Sequence, residues 1–191
     1  MGPLAEVTIQ AVISDAHEGL RAAIPSVLNG VTWQRCYVHF MRNVLDAVPR
    51  TAANFVGAAL RNVFQQPDAG QAKEALHRAI DVLNEKYPKA AERVMEAEED
   101  VLAYFAFPAA HWRQIRSTNP LERLNKEIRR RTKVVGIFPN RSAVLRLVGA
   151  LLLEQDDEWQ VGRRYFSARS MAELYAESAA EPAQLEGESA T

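Results

Sequence analysis

Cysteine is nearly absent from this sequence: Cys36 is the only one in 191 residues, so no disulfide can form within the chain. Histidine is scarce too, and one thiol with four dispersed imidazoles does not supply the four-ligand cluster of a structural zinc site. A chain without disulfides suits a reducing compartment, and the cytoplasm is the expected location. No apolar run approaches the ~20 residues of a membrane span. The first residues also lack the charged-then-apolar order of a secretory signal, so no membrane partner is expected. Internal repeats are missing as well. Net charge is almost missing: 23 basic against 24 acidic residues leave −1, a balance that neither demands nor excludes a polyanionic partner.

What is present is an ordinary globular composition, 48% apolar and 25% charged, in a length that suits one domain or one domain carrying a helical insertion. The charge is unevenly placed. Between Trp112 and Arg141 the basic residues are Arg113, Arg116, Arg123, Lys126, Arg129, Arg130, Arg131, Lys133 and Arg141, opposed only by Glu122 and Glu127. After Arg169 the charged residues are all acidic.

The β-branched run Val7–Ile13, ending in Ser14-Asp15, predicts a strand, and Val31–Cys36 a second, short one. Between them Leu20, Ala23, Ile24, Val27 and Leu28 recur at helical spacing up to an Asn29-Gly30 stop, with Asp15 and Glu18 at capping-box spacing. From Tyr37 the pattern turns helical. Leu60, Val63 and Phe64, then Ala75, Leu76, Ala79, Ile80 and Leu83, then Val94, Met95, Leu102 and Phe105 mark buried faces, and Pro49, Pro67, Pro88 and Pro108 mark breaks. A further helix is expected from Pro120 to about Thr132 with Asn119 as its N-cap, then a turn over Val134–Asn140. An apolar helix is expected from Ala143 to about Trp159. The small, acidic tail from Ala176 onward buries too little apolar surface to offset chain entropy and is expected to be disordered.

Asp15, where a strand hands over to a helix, is either a helix cap or an outward-facing ligand; on these residues alone capping is the stronger reading. Glu122 sits in a helix start yet shares a helix face with Asn125, Lys126 and Arg129, while Leu121, Leu124 and Ile128 form the stripe expected to face the core. A carboxylate among cations near a helix N-terminus stays ionised and suits a hard divalent cation. Glu127, with Arg123 before it and Arg130 and Arg131 after it, is better placed to neutralise its own helix. The cluster Arg123, Lys126, Arg129, Arg130, Arg131 and Lys133 is either a phosphate-binding surface or a solvated charged face, since no aromatic residues interleave it. Cys36 and His39, three residues apart, read as a buried thiol and a core histidine before they read as metal ligands. Trp33, Trp112 and Trp159 read as core anchors.

Taken in order, these motifs resemble one family. Val12–Leu20 with Ser14-Asp15, Gln34–Asn43 with Cys36-Tyr37-Val38-His39, His111–Asn125 with Thr118-Asn119-Pro120-Leu121-Glu122, Lys126–Thr132, Phe138-Pro139-Asn140 and Glu158-Trp159 together resemble the Mutator-type transposases of bacterial insertion sequences, which are DDE recombinases. The resemblance implies an α/β, RNase H-like fold, here partial and mostly helical, with an all-helical insertion between the second and third catalytic acids. The expected division is a partial core over 1–45, the insertion over 46–108, C-terminal core helices over 109–166 and an acidic, disordered tail over 167–191. By position Asp15 matches the family's second aspartate and Glu122 its glutamate, Cys36 and His39 its Cys-x-x-His signature, and Asn119 and Asn125 flank the glutamate within the signature. Two Mg²⁺ or Mn²⁺ ions and DNA, as transposon ends and target, are the implied cofactor and substrate, with a second copy or an intact transposase as protein partner. The fourteen residues before Asp15 hold no aspartate. The expectation is therefore a chain inactive on its own or, alternatively, a non-enzymatic DNA-binding or dimerising fragment that modulates an intact transposase.

Overall fold

The computed structural model describes residues 9–161 and 166–179. Its sheet is two parallel strands, β1 (Ala11–Ser14) and β2 (Thr32–Arg35), in a register that places Ala11 opposite Thr32 and Ser14 opposite Arg35. Parallel neighbours need a crossover, and helix α1 (Glu18–Val27) supplies it. Val7 and Thr8, expected in the first strand, lie outside the described residues. Asp15 does not cap α1: His17 is the N-cap, and its Nδ1 accepts from the amide of Gly19 at 3.2 Å. The predicted apolar stripe of α1 is only partly used, since Ile24 is buried while Leu20 and Val27 are exposed. Gly30, at φ +75°, makes the turn into β2 in a conformation that costs glycine least.

The expected run of helices follows as α2 (Tyr37–Leu45), α3 (Ala53–Val63), α4 (Ala69–Lys86), α5 (Pro88–Met95), α6 (Glu98–Leu102) and a 3-10 turn (Ala103–Ala106). Pro88 opens α5, where a missing amide hydrogen costs nothing, and Pro108 caps α7 (Ala109–Ile115). Asp68 caps α4 by accepting from the Gln71 amide at 2.8 Å, which holds its carboxyl below the usual aspartate range.

One buried cluster runs from Phe40 and Val44 through Val56, Leu60, Leu76 and Leu83 to Val94, Val101, Tyr104 and Ile115. Helical spacing marked Leu60, Val63, Phe64, Ala75, Leu76, Ala79, Ile80, Leu83 and Val94 of this cluster; Leu102 and Phe105, expected on the buried face, are only partly buried while Val101 and Tyr104 fill the core, and Met95 is exposed. Gln34 ties the sheet to this cluster. Fully buried, it donates from Nε2 to the carbonyls of Arg35 (2.7 Å) and Val101 (3.0 Å) and accepts at Oε1 from the Tyr104 amide (2.6 Å). Trp112 is the anchor expected of it, edge-on to Phe105 and donating to the Phe107 carbonyl at 2.6 Å.

Helix α8 (Asn119–Val135) begins one residue earlier than expected, with Thr118 as N-cap, and ends at Gly136, again at φ +75°. Its supposed core stripe is not buried: Leu121 is exposed, and Leu124 and Ile128 are half-buried, because α8 packs mainly on α9 (Arg141–Val161). In α9, Leu151 alone among the described side chains is buried. Helix α10 (Ala168–Ala179) stands where a disordered tail was expected. Ser167 and Ser170 exchange capping hydrogen bonds there, and Ser170 is buried, so a local cap offsets the poor composition. Residues 180–191 lie outside the described residues. Among those described, no helix is long and apolar enough to cross a membrane.

Candidate acidic site and nucleic-acid interface

Residues 36 and 37 are pinned from two sides. The Cys36 amide donates to the Ser14 carbonyl (2.7 Å), extending the strand pairing by one residue, and the Tyr37 amide donates to the Arg116 carbonyl (2.8 Å) at the end of α7. These two bonds join the C-terminal edge of the sheet to the start of α8. Asp15 follows Ser14 at that edge, exposed, and its carboxylate has no hydrogen-bond partner among the described residues.

Cys36 is fully buried, and its Sγ accepts from the Thr118 amide (3.4 Å) and lies 3.3 Å from Thr118 Oγ1. The same hydroxyl lies 3.3 Å from Glu122 Oε1, and His39 Nε2 reaches that oxygen at 3.3 Å as well. A hydroxyl has one hydrogen to give, so when Thr118 donates to the carboxylate the thiol can donate to Thr118 in turn. This explains why Thr118 caps no backbone amide of α8: its hydroxyl is turned toward the thiol and the carboxylate. Cys36, His39 and Glu122 therefore meet, and Thr118, which sequence reasoning passed over, links them. Threonine before Asn-Pro was the signal that could have found it.

Asp15 and Glu122 belong to elements joined through Cys36, but among the described residues no three His, Cys, Asp or Glu side chains stand close enough to hold one metal ion. The donors fit a hard cation in kind, both being carboxylates. Glu122 is half-exposed, in the first turn of α8, where the helix dipole favours its charge.

Beyond the acids, the basic surface divides in two. Glu127 takes bonds from Arg130 Nη2 (2.6 Å) and Arg131 Nε (2.8 Å), and the two guanidiniums hold its carboxyl down to about 2. Arg130 and Arg131 are thus partly neutralised within their own helix, as the spacing suggested. Arg123, Lys126, Arg129 and Lys133 are exposed and have no carboxylate partner among the described residues. Asn125 is exposed on the same helix, and Asn119, its first residue, lines a cleft.

That cleft, of about 700 Å³, opens between the start of α2, the end of α7, the first turn of α8 and the end of α9. Arg113, Arg116 and Arg123 line it together with Tyr37 and Trp159. Trp159, expected as a core anchor, is 39% exposed, because α9 presents its last turns to the cleft and not to the core.

The chain matches the model of a family described as "Transposase, Mutator family" over residues 6–162. It is 49% identical over 157 residues to the transposase for insertion sequence element IS1081 of Mycobacterium tuberculosis, covering 82% of this chain and 38% of that protein. To the transposase for element ISRM5 of Rhizobium meliloti it is 42% identical over 165 residues, covering 86% and 42%. To the transposase for element IS256 in transposon Tn4001 of Staphylococcus aureus it is 40% identical over 159 residues, covering 82% and 40%. The chain spans about two-fifths of the length of these relatives.

Proposed function

The chain belongs to the Mutator family of transposases, and on that premise we propose that it contributes two carboxylates, Asp15 and Glu122, to metal-dependent phosphoryl transfer on DNA within an RNase H-like arrangement. The observation that carries this reading is the tie through Cys36, whose amide bonds the carbonyl before Asp15 and whose thiol meets the threonine one turn before Glu122.

Asp15 would hold a divalent ion, Mg²⁺ or Mn²⁺, from the strand side and Glu122 from the helix side. The chemistry such an ion would supply there is activation of the attacking hydroxyl and stabilisation of charge on the leaving oxygen. His39 and Thr118 orient Glu122 by engaging Oε1. Arg123, Lys126, Arg129 and Lys133 of α8 position phosphates without reading sequence.

The 191 residues by themselves supply two acids of the three that the family resemblance implies, so negligible cleavage or strand transfer is expected of this polypeptide alone. Incubation with Mn²⁺ or Mg²⁺ and DNA bearing matching terminal repeats tests it. Metal-dependent strand joining that Glu122→Ala abolishes would overturn the inactivity and leave the site assignment standing. A second reading is favoured by the cations of α8 that have no carboxylate partner among the described residues: the polypeptide binds DNA without cleaving it and competes with an intact transposase. A salt-dependent shift of duplex DNA, lost in Lys126→Ala/Arg129→Ala, supports that reading, and no shift at low salt contradicts it.

A further inference from the structure

The cleft between α2, α7, α8 and α9 carries more positive charge than the fold requires. Among the described residues three guanidiniums, from Arg113, Arg116 and Arg123, line it against one carboxylate, Glu158. None of the three has a carboxylate partner among the described residues. Arg116 is fixed in place, donating to the Phe64 carbonyl at 3.3 Å and lying 5.5 Å over the Tyr37 ring. Arg113 and Arg123 are exposed. Glu158 is engaged by Gln155 Nε2 at 3.0 Å.

An unneutralised set of guanidiniums calls for an anion, and arginine's planar fork suits phosphate oxygens. The size of the cleft, about 700 Å³, is far more than inorganic phosphate fills and well short of a duplex segment. It suits roughly one or two nucleotides. Trp159 is 39% exposed where it lines this basic groove, and aromatic side chains in such grooves receive unpaired bases, which a base paired inside a duplex cannot supply. Arg123 lines the cleft from α8, one residue after Glu122, which is not itself among the described lining residues.

We propose that this cleft binds unpaired nucleotides of a single-stranded nucleic-acid segment, with phosphates on Arg113 and Arg123 and a base against Trp159. The proposal rests on nucleic acid being the partner and is independent of the metal chemistry, so it is tested with metal chelated. The full 191-residue chain is titrated with a labelled oligothymidine of about ten nucleotides, and with a duplex of equal length, across a range of salt concentrations. The single strand is expected to bind more tightly. In Arg113→Ala/Arg123→Ala the slope of log affinity against log salt should become shallower by about 1.4, at about 0.7 for each phosphate that is no longer neutralised. In Trp159→Ala affinity should fall about tenfold with the slope unchanged, and Trp159→Phe should recover most of it, which separates lost stacking from lost folding. An unchanged slope in the double arginine variant, or a Trp159→Ala chain that binds as the unaltered one does, overturns the proposal while leaving duplex binding by α8 intact. Failure of both nucleic acids to bind at low salt overturns it together with the DNA reading.

Discussion

His39 Nε2 stands 3.3 Å from Glu122 Oε1, joining the first turn of α2 to the first turn of α8 across more than eighty residues of chain. The imidazole is about a quarter exposed and the carboxylate nearly half, so solvent screens the pair. Its value is geometric more than energetic. His39→Ala should cost less than about 1 kcal/mol in urea unfolding. Thr118→Val should cost more, about 1–2 kcal/mol, because it removes the hydroxyl shared by the Cys36 thiol and Glu122 and leaves the buried thiol with a weaker partner. Thr118→Ser, which keeps the hydroxyl, should recover most of that loss, whereas equal stability of the valine and serine variants would show the hydroxyl to be idle.

Gln34 is the buried polar group on which the join between sheet and helices depends. Gln34→Leu fills similar volume but leaves the Val101 carbonyl and the Tyr104 amide without their partner. A loss of about 2–4 kcal/mol in equilibrium unfolding is expected. A change within about 0.5 kcal/mol would mean that those backbone groups find other partners.

Glu127 neutralises part of the basic face of α8 that the proposed function turns toward DNA. Glu127→Gln releases Arg130 and Arg131, so duplex affinity should rise several-fold and the salt dependence should steepen, by about 0.9 in log-log slope for each phosphate newly engaged. The sign of its pH dependence follows from the depressed carboxyl. The folded-state value of about 2 lies below the ordinary 4.5, so the ion pairs are complete above 4.5 and are lost only as pH falls toward 2. The gap in affinity between the unaltered chain and Glu127→Gln should therefore be the same at pH 4.5 as at pH 7. A gap that halves at pH 4.5 would mean that the two arginines do not hold the carboxylate.

Local relationships were legible in the sequence and distant ones were not. The pairing of Glu127 with Arg130 and Arg131 follows from helical spacing alone, and so do the buried positions Leu76, Ala79, Ile80 and Leu83. Capping was less certain, because any acceptor of suitable length can cap. His17 displaced Asp15 at α1, and a serine pair ordered the start of α10, while at α8 Thr118 stands at the N-cap position in place of Asn119 without a side-chain cap bond. The Cys36–Thr118 contact joins residues 82 apart and depends on how α7 and α2 pack, which no local spacing encodes. Trp159 misled for a related reason. An aromatic residue on an apolar helix reads as core, and only the open end of α9 turns it toward a basic cleft. The family resemblance supplied what spacing could not, the expectation that Asp15 and Glu122 act together.

Titration of Mn²⁺ into the 191-residue protein, followed by electron paramagnetic resonance of the free ion, tests the assignment of Asp15 and Glu122 most directly. Saturable binding is predicted, weakened several-fold by Asp15→Asn and by Glu122→Gln and unchanged by Glu127→Gln, whose carboxylate is occupied by its own helix. No saturable binding by the unaltered chain, or equal binding by the Asp15→Asn/Glu122→Gln variant, would contradict it.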